Sequence, residues 1–318
     1  MSVDLPLRSL YAPSSPFHSE WLAVPGGHEI HVQQSGSRGG LPALVLHGGP
    51  GSGCSPLLPR FFDPQRFRII CVDQRGAGRS RPFGGVVRNT TLDLLADLLL
   101  LRSQLGIERW LVVGGSWGAT LALAHALDAP EAVAGMLLRG LFLARTSDID
   151  GFFDGAAHGR PQAWAAFEQR ASALGVSLID LLHEALGSAD AAHATALHWW
   201  RWEQFLSGHE AAPDPDAAAL AAQVARLYIQ SHYLRHCCWL DSPPLLDRCG
   251  ALLEVPMLLL HGREDRICAP EAATALHGRV PHSRLRWIDG AGHDPTHPGM
   301  IDAMVSALDH FAAHGAFG

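Results

Sequence analysis

The chain reads as an α/β fold: a mostly parallel central sheet flanked by helices, with a helical insertion. Three observations carry that reading. Short β-type apolar runs recur at 42–47, 67–73, 110–114, 136–139, 255–261 and 284–289, and the most continuous of them have the pattern of strands buried on both faces. Helical patterns separate several of these runs. Between about 144 and 250 the β-type runs vanish and Ala- and Trp-rich helical patterns take over, as expected of a helical segment inserted between strands. The expected division is a core of residues 1–143 and 251–318 with an all-helical cap of 144–250.

Composition narrows the function classes. With 318 residues, 47% of them hydrophobic, the chain can bury a sizeable core. The net charge of −7 and the dispersed basic residues give no clustered basic face, so no nucleic-acid partner is expected. Every basic residue apart from histidine is arginine, and there is no lysine. That excludes a pyridoxal Schiff base, a Walker-A phosphate loop and a kinase-type lysine. The six cysteines form no metal-type pair and are expected as reduced thiols. No apolar run reaches membrane-spanning length uninterrupted, and residues 1–16 lack the pattern of an export signal, so a cytoplasmic location without membrane attachment is expected.

Taken in order, 21–34 alternates apolar and polar around Pro25-Gly26-Gly27-His28 and predicts a β-hairpin. The strand at 42–47 empties into Gly48-Gly49-Pro50-Gly51-Ser52-Gly53. Its glycine spacing is not that of a dinucleotide loop, and it reads instead as a loop offering backbone N–H groups to an anion. The strand at 67–73 leads into the turn Gln74-Arg75-Gly76-Ala77-Gly78-Arg79-Ser80. A helix over 91–105 is predicted by a Thr90/Asp93 capping box, with Leu92, Leu95 and Leu99 as its apolar face and Gly106 as its end. In the insertion, helices are expected over 161–174, 177–186, 190–206 and 216–240, with 211–222 partly loop. A terminal helix is expected over 300–314.

The run Trp110-Leu-Val-Val-Gly114-Gly115-Ser116-Trp117-Gly118 carries the chemistry. Gly-x-Ser-x-Gly alone is common in glycine-rich chains, but here a strand precedes it and a helix follows. That is the context of a nucleophile elbow, in which the serine hydroxyl stands clear of the sheet on a strained turn. Side chains at Gly114 and Gly118 would strike the neighbouring strand and helix, while Gly115 is read as adding slack. A serine needs an imidazole base oriented by a carboxylate. In the α/β-hydrolase arrangement these follow in the order Ser, Asp or Glu, His. Asp265 lies just past the strand ending at His261, and His293 just past the one ending at Asp289, in Gly290-Ala291-Gly292-His293. Both fall on the sheet edge where Ser116 sits. Glu264 rivals Asp265 but points elsewhere from one position earlier. His293 and His297 are four apart, yet Pro295 and Pro298 break any helix there, so no metal site is expected.

Several motifs together resemble the proline iminopeptidase family. They are His47-Gly48-Gly49-Pro50-Gly51, Asp73-Gln74-Arg75-Gly76-Ala77-Gly78-Arg79-Ser80, Gly114-Gly115-Ser116-Trp117-Gly118, Trp202-Glu203, His232-Tyr233 and Gly262-Arg263-x-Asp265. The resemblance runs from near residue 20 to the end of the chain. It implies a cofactor-free serine peptidase of α/β-hydrolase fold that releases an N-terminal proline from a small peptide or aminoacyl substrate. It further implies Ser116 as nucleophile, His293 as base and acid, Asp265 as its orienter, and an oxyanion hole from the Gly49 and Trp117 N–H groups. Phe142, Phe152 and Tyr233 match substrate-pocket positions, and Glu203 matches a residue that holds the substrate's free amine. Burying a terminal ammonium against a carboxylate in an aromatic pocket is sound chemistry for an exopeptidase.

The chain departs from the family at Ile229-Gln230-Ser231-His232-Tyr233-Leu234, where Ile-Glu-Asn-His-Tyr-Phe is usual. A second amine-anchoring glutamate is thus Gln230, and a pocket aromatic is Leu234. Exchanging a charged for a neutral hydrogen-bond partner weakens amine capture by roughly 1 kcal/mol. Two other readings compete: a carboxylesterase or amidase of the same fold with no need for a free amine, and a non-enzymatic binding protein. The second is disfavoured by the presence of all three triad residues.

Overall fold

The computed structural model describes residues 7–252 and 255–318. Residues 1–6, the start of the stretch read for an export signal, lie outside the described residues. One eight-stranded sheet runs in the order β1-β2-β4-β3-β5-β6-β7-β8. Its strands are β1 His18–Val24, β2 His28–Gly36, β3 Leu41–Leu46, β4 Phe67–Asp73, β5 Trp110–Ser116, β6 Val133–Leu141, β7 Met257–Gly262 and β8 Arg284–Ile288. The β1–β2 hairpin and the β2–β4 pair are antiparallel, and every other neighbouring pair is parallel.

The core strands are buried on both faces, and the two-residue period divides their side chains between two clusters. Leu44, Leu46, Trp110 and Val112 pack into one, while Ala43, Val45, Leu111 and Val113 pack into the other. The first cluster takes in helices α1 Thr91–Gln104 and α2 Trp117–Asp128, and the second takes in the terminal helix α10 Pro298–His314. No helix among the described residues is long and apolar enough to cross a membrane.

Between β6 and β7 the chain is helical: α3 Thr146–Phe153, α4 Ala165–Leu174, α5 Leu178–Leu186, α6 Ala192–Leu206, α7 Ala217–Leu234 and α8 Leu245–Arg248. A further helix, α9 Glu271–Arg279, joins β7 to β8. Several details differ from the sequence reading. The Thr90/Asp93 capping box forms, but the buried face of α1 is Leu94, Leu95, Leu98 and Leu101, while Leu92 is exposed and Leu99 only partly covered. Asp97 is also on the inner face because it meets Arg75 there. Helix α7 stops at Leu234, six residues short of expectation, because Cys237, Cys238 and Trp239 turn the chain with positive φ values. Helices α3 and α9 were not expected; each is short, at eight and nine residues, so its hydrophobic period is brief.

Candidate active site

Ser116 has φ 56° and ψ −127°, a backbone conformation that a non-glycine residue rarely holds. The glycines around it make that turn possible by close approach. A Cβ on Gly114 would lie 2.3 Å from the Gly118 carbonyl oxygen, and one on Gly118 would lie 2.2 Å from that of Leu46. A Cβ on Gly115 would meet a side chain and not backbone, sitting 2.8 Å from Nε of Arg139.

The loops after β7 and β8 bring Asp265 and His293 together. Asp265 Oδ2 accepts a 2.8 Å hydrogen bond from His293 Nδ1, which leaves Nε2 as the nitrogen able to take a proton. Oδ1 accepts the N–H groups of Ile267 and Cys268 at 3.0 and 2.8 Å. Burial pushes the Asp265 carboxyl up, but the His293 charge and hydrogen bond, with the Cys268 N–H and His261, outweigh it and hold the carboxyl below its usual value. Glu264 is exposed beside it. His261, which the sequence reading placed only as a strand end, ties the region together. Its Nδ1 accepts the Leu141 N–H at 3.1 Å and its Nε2 donates to the Cys268 carbonyl at 2.9 Å.

Ser116 and His293 line one cavity of about 360 Å³ enclosed between the sheet edge and the helical segment. They share no hydrogen bond in this conformation. Ser116 Oγ instead lies 3.8 Å from Cys268 Sγ. Gly49 also lines the cavity, and Trp117 opens α2 directly after the serine. Its indole is fully buried. Phe142, Phe152, Glu203, Gln230 and Leu234 all reach the same cavity. Tyr233 does not. It is 1% exposed, packs edge-on against Trp117 and donates its hydroxyl to Asn89 Oδ1 at 2.7 Å. Its place is therefore behind the wall, because the helical period turns it away from the side that Gln230 and Leu234 present.

The Asp73-Gln74-Arg75 motif acts as a fastener for these loops. Asp73 accepts the backbone N–H groups of Cys54 and Arg79 at 2.6 and 3.0 Å. Arg75 forms a buried fork with Asp97, both bonds at 2.7 Å. The sequence reading assigned no role to Arg226, which joins the cavity wall from α7 and pairs with Glu203.

The fold and the serine elbow define an α/β hydrolase, and a family model described as the alpha/beta hydrolase fold matches residues 42–298. The chain belongs to the proline iminopeptidase family. It is 38% identical to a proline iminopeptidase of Xylella fastidiosa strain 9a5c over 96% of this chain and 100% of that one. It is likewise 38% identical to one of Neisseria meningitidis serogroup B strain MC58, over 96% and 99%. The crystal structure of the Mycobacterium smegmatis proline iminopeptidase shares the fold, with a TM-score of 0.60 at 20% identity over 94% of this chain and 98% of that one.

Proposed function

We propose that the chain is a serine aminopeptidase that releases an N-terminal proline, or another small residue, from short peptides. The observation that carries this reading is that Ser116 and His293 line one cavity, His293 bonded to the buried Asp265, with Phe142 and Phe152 in its wall and Glu203 reaching it. The 144–250 segment serves as a cap that closes this cavity over the substrate's first residue. Six free cysteines support a cytoplasmic location.

In the proposed reaction, His293 Nε2 takes the Ser116 hydroxyl proton as Oγ attacks the carbonyl carbon of the first residue. The oxyanion is held by the N–H groups of Gly49 and Trp117. His293 then gives its proton to the leaving amine, the shortened peptide departs, and a water repeats the sequence on the acyl-enzyme to free the amino acid and Ser116. Asp265 keeps the ring in the tautomer this requires.

A second reading, an esterase or amidase with no free-amine requirement, is favoured by one specific contact: the Glu203 carboxylate is already paired with Arg226. A panel of aminoacyl arylamides decides between them. Turnover highest for prolyl-arylamide supports the aminopeptidase; turnover of p-nitrophenyl esters with none of any arylamide overturns it.

A further inference from the structure

The amine end of the cavity is not electrostatically built for an ammonium. Arg226 on α7 lays its guanidinium against Glu203 on α6, with Nη1 3.2 Å from Oε1 and Nη2 bonded to Oε2. Nη1 also donates to Gln230 Oε1 at 3.0 Å, and Nε to Gln223 Oε1 at 2.7 Å. Both members of the ion pair are only 16% exposed. One guanidinium thus occupies both groups that the family resemblance assigns to amine capture. The other carboxylate lining the cavity, Asp148, is likewise held, by Arg145 through Nε at 3.0 Å and Nη2 at 2.5 Å. Arg139 lines the cavity too and donates Nη1 to the His293 carbonyl at 2.8 Å, with no carboxylate within salt-bridge distance among the described residues.

An incoming ammonium therefore meets a Glu203 carboxylate already shared with Arg226 and, at Arg139, a cation with no carboxylate within salt-bridge distance among the described residues. A neutral, acylated nitrogen escapes that penalty. We propose that Arg226 is the specificity-determining residue of this site. It withdraws Glu203 from the substrate amine, so that prolyl groups with an acylated nitrogen are accepted alongside free ones. This rests on the serine hydrolase reading of the cavity and deepens it by naming the substrate class.

The test compares kcat/KM for proline and N-acetylproline benzyl esters, together with the two corresponding arylamides, in wild type, Arg226→Met and Gln230→Glu. Wild type is expected to discriminate between free and acetylated substrates by less than tenfold. Arg226→Met frees Glu203 and is expected to raise the preference for the free amine at least tenfold, through a lower KM for that substrate with kcat little changed. Gln230→Glu adds a carboxylate without removing the guanidinium, and is expected to move the ratio the same way even should Arg226→Met fold poorly. A wild-type preference for the free amine above tenfold, or a ratio that folded Arg226→Met leaves unmoved, overturns the proposal; should Arg226→Met fail to fold, a ratio unmoved in Gln230→Glu overturns it. Ester cleavage with no arylamide cleavage overturns the aminopeptidase reading instead, while the ester ratio still tests Arg226.

Discussion

Gln74 and Trp117 are bonded to each other beneath the active-site floor: the indole Nε1 donates to Gln74 Oε1 at 2.7 Å. The same amide donates Nε2 to the His47 carbonyl at 3.0 Å, while the Gln74 N–H donates to His47 Nε2 at 3.0 Å. One buried side chain thus joins the start of the Gly48–Gly53 loop to the first residue of the elbow helix. These are the two places that supply the proposed oxyanion donors, so their spacing depends on this amide.

Replacing Gln74 with leucine removes both bonds and strands a buried indole N–H and a buried carbonyl. Deleting an oxyanion donor outright costs about 10²–10³ in kcat, and displacing two donors by a fraction of an ångström is expected to cost roughly tenfold or more. The loss should fall on kcat, with KM moving less than threefold, and fluorophosphonate labelling of Ser116 should slow in parallel. A lowered melting temperature with unchanged kcat would show that Gln74 only supports the fold.

The fork between Arg75 and Asp97 pins the turn after β4 to α1. Breaking a buried pair by removing one partner leaves an uncompensated charge and costs about 3–5 kcal/mol, whereas replacing both with apolar groups is often near neutral. Asp93 lies 3.5 Å from the same guanidinium and shares its charge, so Asp97→Ala is expected to lose about 3 kcal/mol in urea unfolding, the low end of that range, and Arg75→Met with Asp97→Leu to recover most of it. A single-variant loss under 1 kcal/mol would mean the pair contributes little.

Much of this arrangement is legible in the sequence because it is local. The elbow, the Asp265 loop and the His293 loop each follow a recognisable strand, and parallel strands in one sheet deliver their carboxyl ends to one edge. The rest depends on packing between distant segments. Glu203 and Arg226 lie on two helices whose facing sides are chosen by burial, not by either helix's own sequence. With leucine at 92, 94, 95, 98, 99, 100 and 101, α1 has no unique apolar stripe, and the partner of Asp97 selects the face. Tyr233 sits one residue from His232 and Leu234, and only the rotation of α7 decides which of these reaches the cavity.

Cys268 gives a chemical handle on the nucleophile. Its sulfur lies 3.8 Å from Ser116 Oγ, is buried, and burial pushes its thiol well above the ordinary value. The reactive thiolate is thus scarce at neutral pH. Maleimides are expected to inactivate slowly at pH 7 and faster as pH rises, because any adduct fills the space over Ser116. Cys268→Ser should keep most activity and lose the sensitivity. Equal inactivation of that variant would place the critical thiol elsewhere, with the less buried Cys54 and Cys237 next in line.

His125 makes the stability of the core depend on pH. It lies on α2 with 0% exposure, accepts the Trp110 indole N–H at 3.1 Å through Nε2, and has no partner for Nδ1. Burial lowers its pKa to about 4, with Arg102 adding to the effect. The folded state therefore keeps the ring neutral while the unfolded chain protonates it near its ordinary value of about 6.5. Between those two values the unfolded state binds the extra proton, so the neutral ring's contribution is complete above about pH 6.5 and is lost as pH falls toward 4. At pH 5 the loss from this one group is about 2 kcal/mol. His183 and His232, also lowered to about 4 by burial, add to it in the same direction. Urea unfolding followed by tryptophan fluorescence at pH 7.5 and pH 5.0 should show the drop, and His125→Gln, which keeps an acceptor for the indole, should show a smaller one. An identical pH dependence in the variant would remove His125 from the account.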